Sequence, residues 1–172
     1  MLIMGYTSFD LGIFDENDVK VTIIKKAIRS NLTRYLDDGL KWLVFTGNLG
    51  FEYWAFQIAK ELQKDYDFYI SSIIDFETHG KNWNAQNQLK FELFKSADFI
   101  KFAFDEYENP GQFKVYNDFL LENSDGAFVF YDEENETKLK FMVNRMREKD
   151  DYSLDLLGFD ELQEIAQDMN DY

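Results

Sequence analysis

Two glycines three residues apart, with a carboxylate two residues further on, make Thr46-Gly47-Asn48-Leu49-Gly50-Phe51-Glu52 the segment of this chain best suited to chemistry. It lies between a short apolar run and a stretch of helical spacing, so the glycines fall in a strand-to-helix turn. Glycine there lets the backbone pass close to a ligand. The unpaired N–H groups at the start of the following helix then face a phosphate. Glu52, in the first helical turn, could accept hydrogen bonds from ribose hydroxyls, as acidic residues do in other nucleotide folds. The same residues also make a plain tight turn, with Glu52 as a favourable charge at the positive helix end. The segment is neither a P-loop nor a dinucleotide fingerprint, because no Lys-Ser/Thr follows the second glycine and the third glycine of G-x-G-x-x-G is missing.

The remaining candidates are scattered. Tyr6 and Trp83 offer flat faces for a nucleobase, although with 31 aromatic residues ordinary packing accounts for most of them. Gln112, near a helix start, is either a donor to a ligand or a surface glutamine. Asn117 falls on the stripe of Phe113, Leu120 and Leu121, where a buried amide needs partners. His79, beside Glu77 and Lys81, reads either as a general acid or base or as a solvated loop histidine. The run Asp132 to Glu136 reads as a solvated acidic face rather than a cation site, and Lys138, Lys140, Arg145, Arg147 and Lys149 as charge pairs on one helix.

Composition narrows the classes. The 172 residues suit one domain spanning 1–172, and 45% apolar residues exclude a disordered chain. With 33 acids against 18 bases the net charge is −15, which argues against nucleic acid or an anionic membrane as partner. The absence of cysteine removes thiol nucleophiles, disulfides and cysteine metal sites, and one histidine cannot build a multi-histidine metal centre; no metal is expected. Met1 to Met4 runs at once into Gly5-Tyr6-Thr7 with no basic flank or long apolar region, so the chain reads as cytoplasmic.

Apolar periodicity alternates between short continuous runs and helical stripes. Strands are expected at Leu2–Met4, Trp42–Phe45, Phe68–Ile74, Phe99–Phe104 and Ala127–Tyr131, with a further apolar run at Tyr152–Leu156. Helices are expected over 18–38, from 51 to about 65, over 85–97, after Pro110, around Leu139–Met146 and over 159–169. This alternation predicts an α/β fold, a Rossmann-like three-layer sandwich with a mostly parallel sheet covered by helices on both faces. Ligands in such sheets bind beyond the carboxyl ends of the strands, near the point where strand order reverses. That end holds Gly5 to Phe14, Thr46 to Gly50, Asp75 to Asn84, Asp105 to Pro110 and Asp132 to Glu136.

Gly5-Tyr6 with Phe9-Asp10-Leu11-Gly12-Ile13-Phe14, Gly47 to Ala55, Lys81-Asn82-Trp83, Gln112-Phe113-Lys114, Tyr116-Asn117 and Ser124-Asp125-Gly126 together resemble the YpsA family of the SLOG superfamily, which also holds the DprA/SMF and LOG-type proteins. The resemblance covers nearly the whole chain. It implies a pocket for a nucleotide or nucleotide-derived ligand, such as ADP-ribose or a nucleoside monophosphate, lined by the turn of Gly47, Gly50 and Glu52, with Asn117 near the same cleft. With the candidates read from the residues themselves, the expected ligand-binding set is Gly5, Tyr6, Gly47, Asn48, Gly50, Glu52, Trp83, Gln112 and Asn117. Tyr116 stands where relatives carry the arginine of an Arg-Asn pair, and Asn144-Arg145 where they carry Gly-Thr. The expected role is a sensor or regulatory module with a small nucleotide-like ligand and a protein partner. The alternatives are a phosphoribohydrolase of the LOG type and a DprA-like single-strand DNA binder. The Pro-Gly-Gly-x-Gly-Thr-x-x-Glu pattern of those enzymes is missing, Asn109-Pro110-Gly111-Gln112 sharing only its first two residues, and the net charge of −15 opposes the DNA binder.

Overall fold

Continuous apolar runs become strands here because both of their faces are covered. The computed structural model describes residues 1–171. Strands β1 (Leu2–Gly5), β2 (Trp42–Phe45), β3 (Tyr69–Phe76), β4 (Phe99–Phe104), β5 (Gly126–Phe130) and β6 (Ser153–Leu157) form one sheet in the order β4-β3-β2-β1-β5-β6. All pairings are parallel, so the expected Rossmann-like arrangement is present. The helices are α1 (Ser8–Leu11), α2 (Val19–Asp37), α3 (Phe51–Leu62), α4 (Ala85–Phe94), α5 (Gly111–Glu122), α6 (Leu139–Glu148) and α7 (Phe159–Asn170).

Right-handed crossovers put α2, α3 and α4 on one face, where α7 packs against α2, and α5 and α6 on the other. Adjacent residues of β3 mark the two faces. The Ser72 hydroxyl donates to the Phe94 carbonyl of α4 at 2.7 Å, whereas the Ile73 carbonyl accepts the Tyr116 hydroxyl of α5. The central helix α3 is buried on nearly every side, and Phe45, Phe56 and Phe94 meet edge to face beneath it, with centroids 5.0 and 5.1 Å apart around Phe56.

Element ends shift for identifiable reasons. Helix α1 was expected as loop; Thr7 and Asp10 close a reciprocal capping box, and Gly12 ends the turn at φ 64°. Strand β3 runs on to Phe76 because that residue still pairs with Phe104 of β4, while α4 stops at Phe94 and α3 at Leu62. In α5 the buried stripe is Gln112, Tyr116, Leu120 and Leu121. Phe113 is 44% exposed and joins Phe76 and Tyr107 at the sheet rim, so the expected stripe through Phe113 and Asn117 is turned by about one residue.

Strand order reverses between β1 and β5. The crevice expected there is filled by the chain itself. Tyr6 is fully buried, stacked on Phe159 at 5.9 Å and set edge-on against Phe130 at 4.9 Å. Its hydroxyl donates to the Asn135 carbonyl at 2.8 Å and accepts the Asp132 N–H at 2.7 Å, which ties the acidic loop down over β1. Burial raises the Tyr6 hydroxyl above the usual phenol range, so it remains a donor.

Candidate ligand site

The glycine turn after β2 is built from the inside. Gly47 and Gly50 both sit at φ 88°, a region closed to most side chains. At Gly50 the close neighbour is the chain's own backbone: a Cβ would lie 2.5 Å from Ser8 N and 2.7 Å from the Thr7 carbonyl carbon. The Phe51 N–H also donates to the Tyr6 carbonyl at 3.1 Å, so the loop after β1 rests on the start of α3.

Glu52 turns back under this turn. It is 2% exposed, and Oε1 accepts the Thr46 N–H at 2.6 Å and the Gly47 N–H at 3.3 Å while Oε2 meets the Thr46 hydroxyl at 2.5 Å. Asn48 Nδ2 donates to that same hydroxyl at 3.1 Å. Burial pushes the Glu52 carboxyl from an ordinary 4.5 up to about 7, and the hydrogen bonds from Thr46, Asn48 and Gly47 offset only part of it.

His79 belongs to the same cluster, which overturns its reading as a solvated loop residue. Its Nε2 lies 3.0 Å from the Gly47 carbonyl and its Nδ1 3.2 Å from Asp75 Oδ1, with Trp83 and Phe91 packed on the ring at 5.0 and 5.2 Å. Burial alone would lower its pKa. The Asp75 carboxylate, the Gly47 carbonyl and Glu52 outweigh that and hold it above 6.5. A histidine raised in the folded state stabilises fully below its unfolded pKa and ceases to do so as pH rises through the folded value. His79→Ala therefore costs about 2 kcal/mol near pH 5.5, from two lost polar contacts and the ring packing, or roughly 4–8 °C in melting midpoint. Melts repeated at pH 8.5 should show a smaller gap from the wild type; a gap that widens with pH would assign the pair the opposite sign.

Above this base a groove of about 690 Å³ opens at the carboxyl ends of β1 and β2. Thr7 and Ser8 form one wall, Asn48 and Leu49 the floor, and Trp83, Asn84 and Asn87 at the start of α4 the other wall. Phe14 stands at the rim, 80% exposed. Glu16 pins the rim loop, accepting Trp54 Nε1 at 2.8 Å and Lys90 Nζ at 2.6 Å. Lys90 lines the groove but is already neutralised by that contact.

Of the residues proposed from sequence, Asn48 and Trp83 line this groove. Gly47, Gly50 and Glu52 shape the turn behind it, while Gly5 packs against the Phe51 ring, where a Cβ would come within 2.4 Å. Gln112 and Asn117 lie on α5, on the opposite face of the sheet. Gln112 is not a surface glutamine: its Oε1 accepts the N–H groups of Glu108 and Asn109 and its Nε2 donates to the Glu106 carbonyl, which orders the loop after β4. Asn117 is half-buried. The basic residues read as charge pairs on one helix pair instead with acids outside α6: Arg145 with Asp118 of α5, Arg147 with Glu133, and Lys140 with Glu136.

Sequence reasoning passed over Glu16, Phe14, Asn84 and Lys90. Asn84 carried a usable signal, since an asparagine just before a helical stripe is a cap; its Oδ1 accepts the Asn87 N–H at 2.8 Å. Glu16 carried none, because its partners lie 38 and 74 residues away.

The parallel sheet, its reversal at β1 and a polar groove over the carboxyl ends define a Rossmann-like α/β protein of the type that seats ligands above its strands. The YpsA model, described as the YspA SLOG family, matches residues 1–162, and the chain belongs to that family. It is similar to a UPF0398 protein of Lactococcus lactis subsp. cremoris (strain SK11), 64% identical over 99% of this chain and 98% of the relative. It is also similar to the UPF0398 protein YfdB of Lactococcus lactis subsp. lactis (strain IL1403), at 63% identity with the same coverage. A UPF0398 protein of Streptococcus agalactiae (strain A909) is 53% identical over 98% of both chains. Among the described residues no helix is long and apolar enough to cross a membrane.

Proposed function

We propose that this protein binds a nucleotide-derived ligand in the groove over β1 and β2 and acts as a sensor or regulatory module in the cytoplasm. The observation that carries this reading is the chemistry of the groove wall. Amides of Asn48, Asn84 and Asn87 can each donate and accept, which suits the edges of a base and ribose hydroxyls. Trp83 and Phe14 supply flat faces for stacking. The N-terminal turn of α4 lies on the same wall and favours one anionic group, whereas the single lysine there is held by Glu16. That balance suits a nucleoside monophosphate or ADP-ribose better than a nucleoside triphosphate.

Family membership supports a nucleotide-related role at the coarse level. The buried, fully engaged Glu52 favours binding over turnover, because neither of its oxygens is free to meet a sugar.

Thermal denaturation against nucleoside monophosphates, ADP-ribose, NAD and cyclic nucleotides tests the reading. A ligand at 100 times its dissociation constant adds roughly 2.7 kcal/mol, a midpoint rise of about 5–10 °C for a chain of this size. Phe14→Ala, at a rim position that contributes little to the core, should reduce the rise without moving the unliganded midpoint. A panel without any rise removes the groove as a nucleotide site, and steady release of base or phosphate would make the protein an enzyme.

A further inference from the structure

A second groove lies across the loop from the first, between α1, the start of α2 and α7. It is smaller, about 350 Å³, and apolar, walled by Leu11, Ile13, Ile23, Ile24, Phe159 and Leu162. Phe159 is the same ring that stacks on Tyr6 beside the strand-order reversal and packs edge-on against Phe130. Phe9 of α1 and Phe14 of the loop after it, 82% and 80% exposed, line the first groove on the other side of Ile13. Apolar surface concentrated in this way marks an interaction site more often than a free surface.

The electrostatic setting selects the occupant. The three segments around the groove, residues 9–26, 131–136 and 159–168, carry twelve carboxylates against Lys20, which lines the groove, Lys25 and Lys26. Glu16, Glu133 and Glu136 are paired with Lys90, Arg147 and Lys140, and the other nine have no ion-pair partner among the described residues. A second copy of the chain would bring the same acidic rim against itself and be repelled. A partner with lysine or arginine around apolar anchors meets both the floor and the rim.

We propose that this groove docks a basic segment of another protein through one or two apolar anchor side chains. Ile13 lines both grooves, so the loop that holds the proposed nucleotide also shapes the partner site. Communication between the two rests on the ligand reading above; the docking does not.

The test uses fluorescence anisotropy with two labelled peptides of equal charge, one an amphipathic helix of leucine and lysine, the other with serine in place of leucine. The wild type is expected to bind the leucine peptide roughly tenfold more tightly than the serine peptide, and more weakly as salt rises from about 50 to 300 mM. Gln163→Trp places a bulky ring in the groove from an exposed rim position and should weaken the leucine peptide roughly tenfold with an unchanged melting midpoint. Asp160→Lys should weaken it through charge alone. Equal affinity for both peptides, or no effect of Gln163→Trp, reduces the contact to general electrostatics and overturns the proposal. So does the absence of any binding, or a self-association in sedimentation that Gln163→Trp abolishes. A ligand screen without response leaves this outcome untouched, so the two readings fail separately.

Discussion

Gly50→Ala is expected to destabilise the protein by about 2–6 kcal/mol, combining backbone strain of about 1–3 with overpacking of about 1–3. The residue sits at φ 88° and ψ −126°, where an L side chain is strained whatever the space. The space is absent too. The added methyl meets Ser8 N, the Thr7 carbonyl carbon and the Tyr6 carbonyl oxygen at 2.5, 2.7 and 2.8 Å, all of them backbone and none able to rotate away. Against a total stability of about 5–15 kcal/mol this is a large fraction, visible as a midpoint fall of roughly 10 °C or more in a melt. Gly12→Ala is the matched control, since Gly12 also has positive φ, at 64°, but nothing within 4 Å of its missing Cβ. It should cost only about 1 kcal/mol. Equal losses at the two positions would mean that the approach of the β1 loop to α3 is not a tight contact in solution. The contact bears on function because that loop supplies Thr7 and Ser8 to the groove wall facing Asn48 and Leu49.

The same position shows what the sequence could and could not convey. Glycine at 47 and 50 correctly signalled a special backbone, and the apolar runs located the first five strands to within two residues, because strand and helix periods are local properties. What approaches the glycine is not local. Ser8 comes to Gly50 from 42 positions away in the chain, and Tyr6 reaches Asn135 across 129. Periodicity carries no record of such partners, so Tyr6 was legible as an aromatic after the first strand but not as the plug of the β1–β5 crevice. In α5 the phase slipped because Gln112 and Tyr116 look polar in a pattern, yet each is buried with its polar atoms bonded, while Phe113 looks apolar and stands at the rim. The Asp75–His79 spacing lay in a stretch that reads as polar loop; only the ring packing of Trp83 and Phe91 shows that the histidine is enclosed.

Glu52 is expected to behave as a group that prefers to be neutral, so Glu52→Gln and Glu52→Ala should diverge sharply. Oε1 accepts the two N–H groups of Thr46 and Gly47 and Oε2 accepts the Thr46 hydroxyl. Once the acid is protonated that last bond reverses, Oε2–H donating to the hydroxyl oxygen. Glutamine reproduces that pattern with an oxygen and an NH₂ group. Alanine leaves two enclosed N–H groups unpaired, at about 1–3 kcal/mol each, and a void beside them, so about 3–5 kcal/mol and roughly 10 °C of midpoint are lost. The pH dependence separates the cases further. The folded pKa of about 7 lies above the ordinary 4.5, so the unfolded chain releases this proton first. The stabilisation is complete below about 4.5 and lost as pH rises through about 7, a difference on the order of 3 kcal/mol. Glu52→Gln carries no such titration. Near pH 5 it should match the wild type within about 1 kcal/mol, and at pH 8 it should exceed the wild type by up to about 3 kcal/mol, since it keeps the turn without an enclosed charge. Chemical denaturation of the three proteins at pH 5, 6, 7 and 8 reads this directly. Parallel stability curves for the wild type and Glu52→Gln would show that Glu52 is already charged at pH 5, and the neutral carboxyl under the glycine turn would have to be abandoned.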